Sequence, residues 1–189
     1  MLGNVKSSNF IAFLVIISIQ TNLWSSEIKG KFIDKLLSIN SVKFDFDQNN
    51  NGEKESGNCL ISFPSKMACK YSDGNKEIII NNKVMAIIDK KFDKIYYYPA
   101  DRSSLSLILD KTELKNLILK SNLKLSGDKF VFESFISNNK INLMYNKGMN
   151  FLSGWEIVDD FNNKIIFTIK NSVVNLNLNS SIFRIPRID

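Results

Sequence analysis

The stretch from Asn58 to Pro99 alternates between oily and polar residues, and that pattern limits the fold more than any other feature of this chain. Cys59, Ile61 and Phe63 interleave with Asn58, Leu60 and Ser62, a period of two that sends the sets to opposite faces of a strand. Beyond Pro64-Ser65, Met67, Cys69 and Tyr71 interleave with Lys66, Ala68 and Lys70. With Glu77–Asp89 and Lys94–Pro99, the expectation is an antiparallel meander of about four short strands joined by three tight turns. One face of such a sheet is oily and must be covered by something else in the chain.

The flanking segments supply the cover. Ile28, Phe32, Leu36 and Ile39, widened by Ile33 and Leu37, recur at helical spacing and predict a helix over Glu27–Asn40, with Lys29, Lys31 and Lys35 outward. Val42–Gln48 alternates as a strand, and Asn49–Ser56 reads as an exposed hairpin loop. After Pro99, Leu105, Ile108 and Leu109, then Leu114, Leu117 and Ile118, mark two short helices. Ser103 or Ser104 can cap the first, and Thr112 with Glu113 can open the second. They are candidates for a cover, although periodicity by itself describes ordinary packed helices. Strands resume over Phe130–Ile136, Ile141–Tyr145, Phe151–Val158, Lys164–Lys170 and Val173–Leu178, with turns at Asn138-Asn139 and Asp160–Asn163, before Phe183–Pro186 closes the chain. The fold class is therefore mostly β, with about ten or eleven antiparallel strands against about three helices.

A chain of 189 residues suits one domain with a substantial core. Its first segment is expected to stand outside that core. Lys6 precedes Phe10–Ile19, apolar but for Ser18, and Gln20–Ser25 turns polar. This is the shape of a secretory signal over residues 1–25, too short to span a bilayer, with the mature domain beginning near Ser26; the competing reading is an uncleaved anchor. The leader holds one lysine and no acidic residue, so the net charge falls from +6 to +5 without it. Scattered lysines on an exported chain argue against nucleic acid and for a surface that tolerates an anionic membrane face. Cys59 and Cys69 lie symmetrically about Pro64, so an odd-length turn or a bulge would set them opposite each other. Oxidation would permit a cross-strand disulfide; two buried thiols are the alternative.

Catalytic patterns are missing. With no histidine, Ser-His-Asp and Cys-His arrangements and His-based metal centres are excluded. Asp45 and Asp47 share a strand face, where solvated acidic residues are commonplace. Asn179-Ser180-Ser181 has the form of a glycosylation acceptor. An enzyme is not expected, nor a cofactor or metal.

Several elements, in order, resemble the LolA family of periplasmic lipoprotein carriers, particularly its alphaproteobacterial members. Phe46-Asp47-Gln48 is similar to the family's Phe-x-Gln element. Phe63-Pro64-Ser65-Lys66-Met67-Ala68-Cys69-Lys70-Tyr71 occupies the frame of its Arg-Pro-Gly hairpin, and Asn81–Asp89 that of its Asp-Gly-Lys element. Gly154-Trp155-Glu156-Ile157-Val158-Asp159 resembles Trp-x-Val-x-Asp, and Leu178–Pro186 resembles the family's tail. The resemblance implies an incomplete antiparallel barrel whose concave apolar inside is lidded by helices over Leu105–Leu119. It implies a carrier that takes triacylated lipoproteins from an inner-membrane ABC transporter, shields their acyl chains and passes them to an outer-membrane receptor. A monomer is expected. On that picture Phe44, Phe46, Ile61, Met67, Tyr71, Met85, Ile87 and Trp155 line the lipid cavity, and Leu105, Ile108 and Leu109 belong to the lid. Alternatives from other classes are a sensor of mislocalised lipoprotein and a general carrier of glycerolipids.

Three positions depart from the family. Phe63 stands where an Arg tethers the lid, Cys69 where an aromatic is usual, and Ala86 where a Trp is usual. Together they imply a roomier cavity or a looser lid.

Overall fold

A computed structural model describes residues 24–136, 139–158 and 161–186. Most of the expected leader, and the turn residues Asn138, Asp159 and Asp160, lie outside the described residues. Helix α1 runs over residues 24–37 and buries Phe32, Ile33 and Leu36. Leu37, expected on the buried stripe, is instead 44% exposed at the last turn, and Ile39 is buried just beyond the helix. Trp24 and Ser25 belong to α1, and Trp24 packs edge-on against Phe130 at 6.2 Å, so the boundary expected near Ser26 falls inside this helix.

Eleven strands follow: β1 (Ser41–Asn50), β2 (Glu53–Ser62), β3 (Lys66–Tyr71), β4 (Lys76–Asn81), β5 (Val84–Asp89), β6 (Lys94–Pro99), β7 (Asn122–Ser126), β8 (Lys129–Ile136), β9 (Asn139–Asn146), β10 (Gly154–Val158) and β11 (Lys164–Val174). They form one antiparallel sheet in the order β6-β5-β4-β3-β2-β1-β11-β10-β9-β8-β7. Each strand lies beside its sequence neighbour except at β1–β11, where the first strand joins the last and fuses two meanders. The sheet ends at β6 and β7, which do not pair, so it curls around its contents without closing.

Three expectations are corrected. The apolar run from Glu77 to Asp89 is two strands, because Asn82 adopts φ +55° and turns the chain between Asn81 and Val84. The meander thus has five strands. The loop over Asn49–Ser56 shrinks to Asn51-Gly52, both at positive φ, with the polar residues around it still paired between β1 and β2. A two-residue turn of this hand matches the twist of the strands. Val173 lies in the last part of β11, after an irregularity at Asn171, φ +49°, and does not begin a separate strand.

Alternation decides which face is which. Phe44 and Phe46 of β1, Cys59 and Ile61 of β2, Met67, Cys69 and Tyr71 of β3 and Ile78 and Ile80 of β4 share the concave face and are buried there. Gly57 is required opposite Phe46: a side chain there would meet the Lys70 carbonyl at 2.2 Å and the Phe46 ring at 2.8 Å. The tail over residues 175–186 crosses the other face, where the Asn81 Nδ2 donates to the Phe183 carbonyl and the Tyr97 hydroxyl to that of Pro186. Ala86 and Phe183 are buried there, apart from the main core. Asn179 acts as the cap of the turn at Ser180–Phe183.

Candidate functional site

Three helices fill the concave side. Phe32 of α1 packs on Phe132 of β8 at 5.3 Å and on Tyr145 of β9 at 4.3 Å. Helix α2 (Ser104–Leu109) is capped by Ser103, as the serine pair suggested. Helix α3 (Lys111–Lys120) is capped by Asp110, whose carboxylate accepts from the Thr112 and Glu113 amides. That corrects the Thr112 opening: the carboxylate two residues earlier takes both amides, and Thr112 lies inside the first turn. Ile108, Leu109, Leu114, Leu117 and Ile118 are all buried in the main core, and Leu105 packs against it half-buried.

The residues singled out as cavity lining come together on the concave face as packed core. Phe44, Phe46, Ile61, Met67, Tyr71 and Trp155 are buried, while Met85 and Ile87 pack against them half-buried. Trp155 stacks on Phe167 at 4.1 Å, which stacks on Phe46 at 4.7 Å. Phe46 meets Tyr71 edge-on at 5.2 Å, and the Tyr71 hydroxyl donates to Gln48 Oε1 at 3.5 Å. Burial, reinforced by the charge of Glu55, pushes the Tyr71 hydroxyl pKa well above the usual phenol range. Cys59 and Cys69 stand opposite each other across the three-residue connection 63–65 and form a disulfide, also within the core. Of the two positions where an aromatic was expected, Cys69 is in this core, whereas Ala86 is buried on the opposite face of the sheet and cannot widen a cavity on the concave side.

The helices are held by contacts that sequence reasoning missed. Lys111 Nζ, at the start of α3, donates to the Leu37 carbonyl at the end of α1 and sits 4.9 Å from the centre of the Phe63 ring. Lys29 Nζ, near the start of α1, donates to the Leu119 and Ser121 carbonyls at the end of α3, at 3.1 and 2.6 Å. Each helix therefore caps the other's C-terminus, where carbonyls lack intrahelical partners. Partial burial lowers the pKa of both ammonium groups. The hairpin turn adds a backbone bond, Ser65 N–H to the Leu109 carbonyl. Phe63 cannot donate, but it offers its ring face to Lys111. No local pattern announces the lysine–carbonyl contacts, because each joins residues 74 to 92 positions apart.

Beside the helices lies an open cleft of about 970 Å³. One wall is an isoleucine row: Ile141, Ile157 and Ile165 stand directly opposite one another on β9, β10 and β11, with Ile136 beyond. The lining also includes Leu107 of α2, the α3 cap Asp110, Glu113 of α3, and Ser65, Asn82, Pro99 and Ala100. Ile141 and Ile157 also belong to the main core, so the cleft is continuous with the packed interior. Among the described residues no His, Cys, Asp or Glu cluster could hold a metal ion, and no helix is long and apolar enough to cross a membrane.

Comparison with known proteins agrees with this architecture. MucB is similar in fold, with a TM-score of 0.55 at 12% identity over 85% of this chain and 63% of MucB. The Pseudomonas aeruginosa MucA/MucB complex gives 0.50 at 11% identity, covering 86% of this chain and 61% of the other. The chain thus spans about three fifths of MucB. The LolA superfamily protein NE2245 from Nitrosomonas europaea is matched over 85% of this chain and 97% of its own, with a TM-score of 0.47 and 7% identity. A search of curated proteins finds no match. The family profile described as "Outer membrane lipoprotein carrier protein LolA" matches residues 37–186, nearly the whole described domain, and the chain belongs to the LolA family.

Proposed function

We propose that this protein is a periplasmic lipoprotein carrier of the alphaproteobacterial type, which takes the acyl chains of lipoproteins between its concave sheet and its helices. It receives them from an inner-membrane ABC transporter and delivers them to an outer-membrane receptor. The observation that carries this reading is the isoleucine row that lines, with Leu107 of α2, a cleft continuous with the core. The disulfide accords with an oxidising compartment.

Magnitudes favour exchange over spontaneous opening. Exposing Ile108, Leu109, Leu114, Leu117 and Ile118 would cost about 10 kcal/mol at about 2 kcal/mol each. That rivals the whole stability of an ordinary domain, about 5–15 kcal/mol. An acyl chain of about fourteen methylenes gains about 11 kcal/mol on leaving water, at about 0.8 kcal/mol per methylene. The cargo thus offsets the displaced contacts. A near-balanced exchange lets a carrier both hold its load and surrender it to a better site.

The test is release. Inner-membrane vesicles of the native organism are incubated with the purified protein, and the supernatant is assayed for acylated lipoprotein. A soluble one-to-one complex is expected. Phospholipid released without lipoprotein would overturn the reading in favour of a general lipid carrier, and lipoprotein bound but kept at the membrane would favour a sensor.

A further inference from the structure

The two ends of the sheet are unlike. β7 carries Lys124 at its centre, paired with Glu133 at 2.8 Å, and a charge there discourages strand addition. β6 holds the uncharged run Ile95-Tyr96-Tyr97-Tyr98 between Lys94 and Pro99, and its three tyrosines are 42–45% exposed. Among the described residues β6 pairs only with β5.

The ladder shows where its free groups point. The Ala100 amide donates to the Lys83 carbonyl, and the register pairs Val84 with Pro99, Met85 with Tyr98 and Ile87 with Tyr96. Antiparallel pairs alternate between bonded and unbonded. Tyr96 and Tyr98 therefore bond to β5, while Ile95 and Tyr97 direct both N–H and C=O outward. Pro99 also falls at an outward position, where its missing N–H breaks no bond of the ladder. The strand leads from the cleft itself, since Pro99 at its end and the following Ala100 belong to the cleft lining.

We propose that the free edge of β6 binds, as an added strand, the extended polypeptide that joins a bound lipid anchor to the rest of its lipoprotein. The proposal rests on the carrier reading. A chain attached to lipid in the cleft must leave over the rim, and β6 offers it about 20 Å of unpaired backbone, or about six residues. Pairing through main-chain groups ignores side-chain identity, which suits cargo that shares a lipid but not a sequence. Tyr96, Tyr97 and Tyr98 flank the added strand on both faces.

Two synthetic ligands test this: a triacylated cysteine followed by ten Ser, Gly and Asn residues, and the same lipid on a bare cysteine amide. With the lipopeptide, hydrogen exchange at the Ile95 and Tyr97 amides should slow at least about tenfold, and with the bare lipid it should not change. Tyr97→Pro removes one outward N–H and should weaken lipopeptide binding about fivefold while leaving the bare lipid unaffected. Tyr97→Phe, which loses only the hydroxyl bond to Pro186, should bind both as the parent does. Equal exchange with both ligands would overturn the proposal and leave the carrier reading intact. So would protection that grows with protein concentration in the absence of ligand, which would assign the edge to a second copy of the chain. Binding of neither ligand would overturn the carrier reading, and this proposal with it.

Discussion

Lys111→Met isolates the clamp between the helices. Methionine retains an apolar stem but loses the ammonium group that donates to the Leu37 carbonyl at 3.0 Å and lies 4.9 Å from the Phe63 ring centre. The hydrogen bond is worth about 1 kcal/mol once solvent screening is allowed for, and the cation–π contact about 0.5–1 kcal/mol. Losing both costs at most about 1.5–2 kcal/mol, because removing the ammonium also relieves the desolvation that lowers its pKa, and should raise the equilibrium for α3 opening by up to about 10- to 30-fold. Native-state hydrogen exchange of the Leu114, Leu117 and Ile118 amides reads this directly. Amides of β5 that exchange by fraying should keep their rates. Lys29→Met, at the other end of the helix pair, should act in the same direction and combine additively with Lys111→Met. Exchange from α3 within about twofold of the parent rate would refute the clamp, and burial alone would then hold the helices down.

Other perturbations follow from the same packing. Gly57→Ala should cost at least about 2 kcal/mol in a urea titration, because the new methyl meets a carbonyl oxygen at 2.2 Å and the Phe46 ring; an unchanged midpoint would show that β2 and β3 can part without penalty. Replacing Cys59 and Cys69 together by alanine removes a crosslink spanning 10 residues and should cost about 2.5–3 kcal/mol. For Tyr71, burial raises the hydroxyl pKa in the folded state above the unfolded value of about 10. Its contribution is intact below about pH 10 and is lost as pH rises beyond, because the unfolded chain ionises first. Urea midpoints between pH 9 and 11.5 should fall less steeply for Tyr71→Phe than for the parent.

Much of this molecule is legible locally. Period-two alternation marked Met67, Cys69 and Tyr71 as one face, and the structure buries all three. Spacing at i, i+3 and i+4 placed Leu114, Leu117 and Ile118 on one side of a helix, where they are buried. These patterns survive because a strand or helix repeats its geometry every few residues, so the sequence must repeat with it. Turns were less legible. Asn82 sits in a run that reads as continuous strand, and only its left-handed backbone separates β4 from β5. Asn49 to Ser56 reads as loop because hairpin ends carry polar residues whether or not they pair.

What only the tertiary structure decided is which distant parts meet. Strand periodicity cannot say that β1 pairs with β11, since every antiparallel neighbour presents the same alternation. Nor can it say that Lys29 and Lys111 each cap the other's helix, because an exposed lysine on a helix carries no mark of its partner. By itself the sequence determined the faces, the helices and the family likeness, all of which rest on short-range repeats and ordered motifs. The join between the two meanders and the clamped helices arise from burial and hydrogen bonding between residues far apart in the chain, which the whole fold must satisfy together, and they leave β6 at the end of the sheet among the described residues.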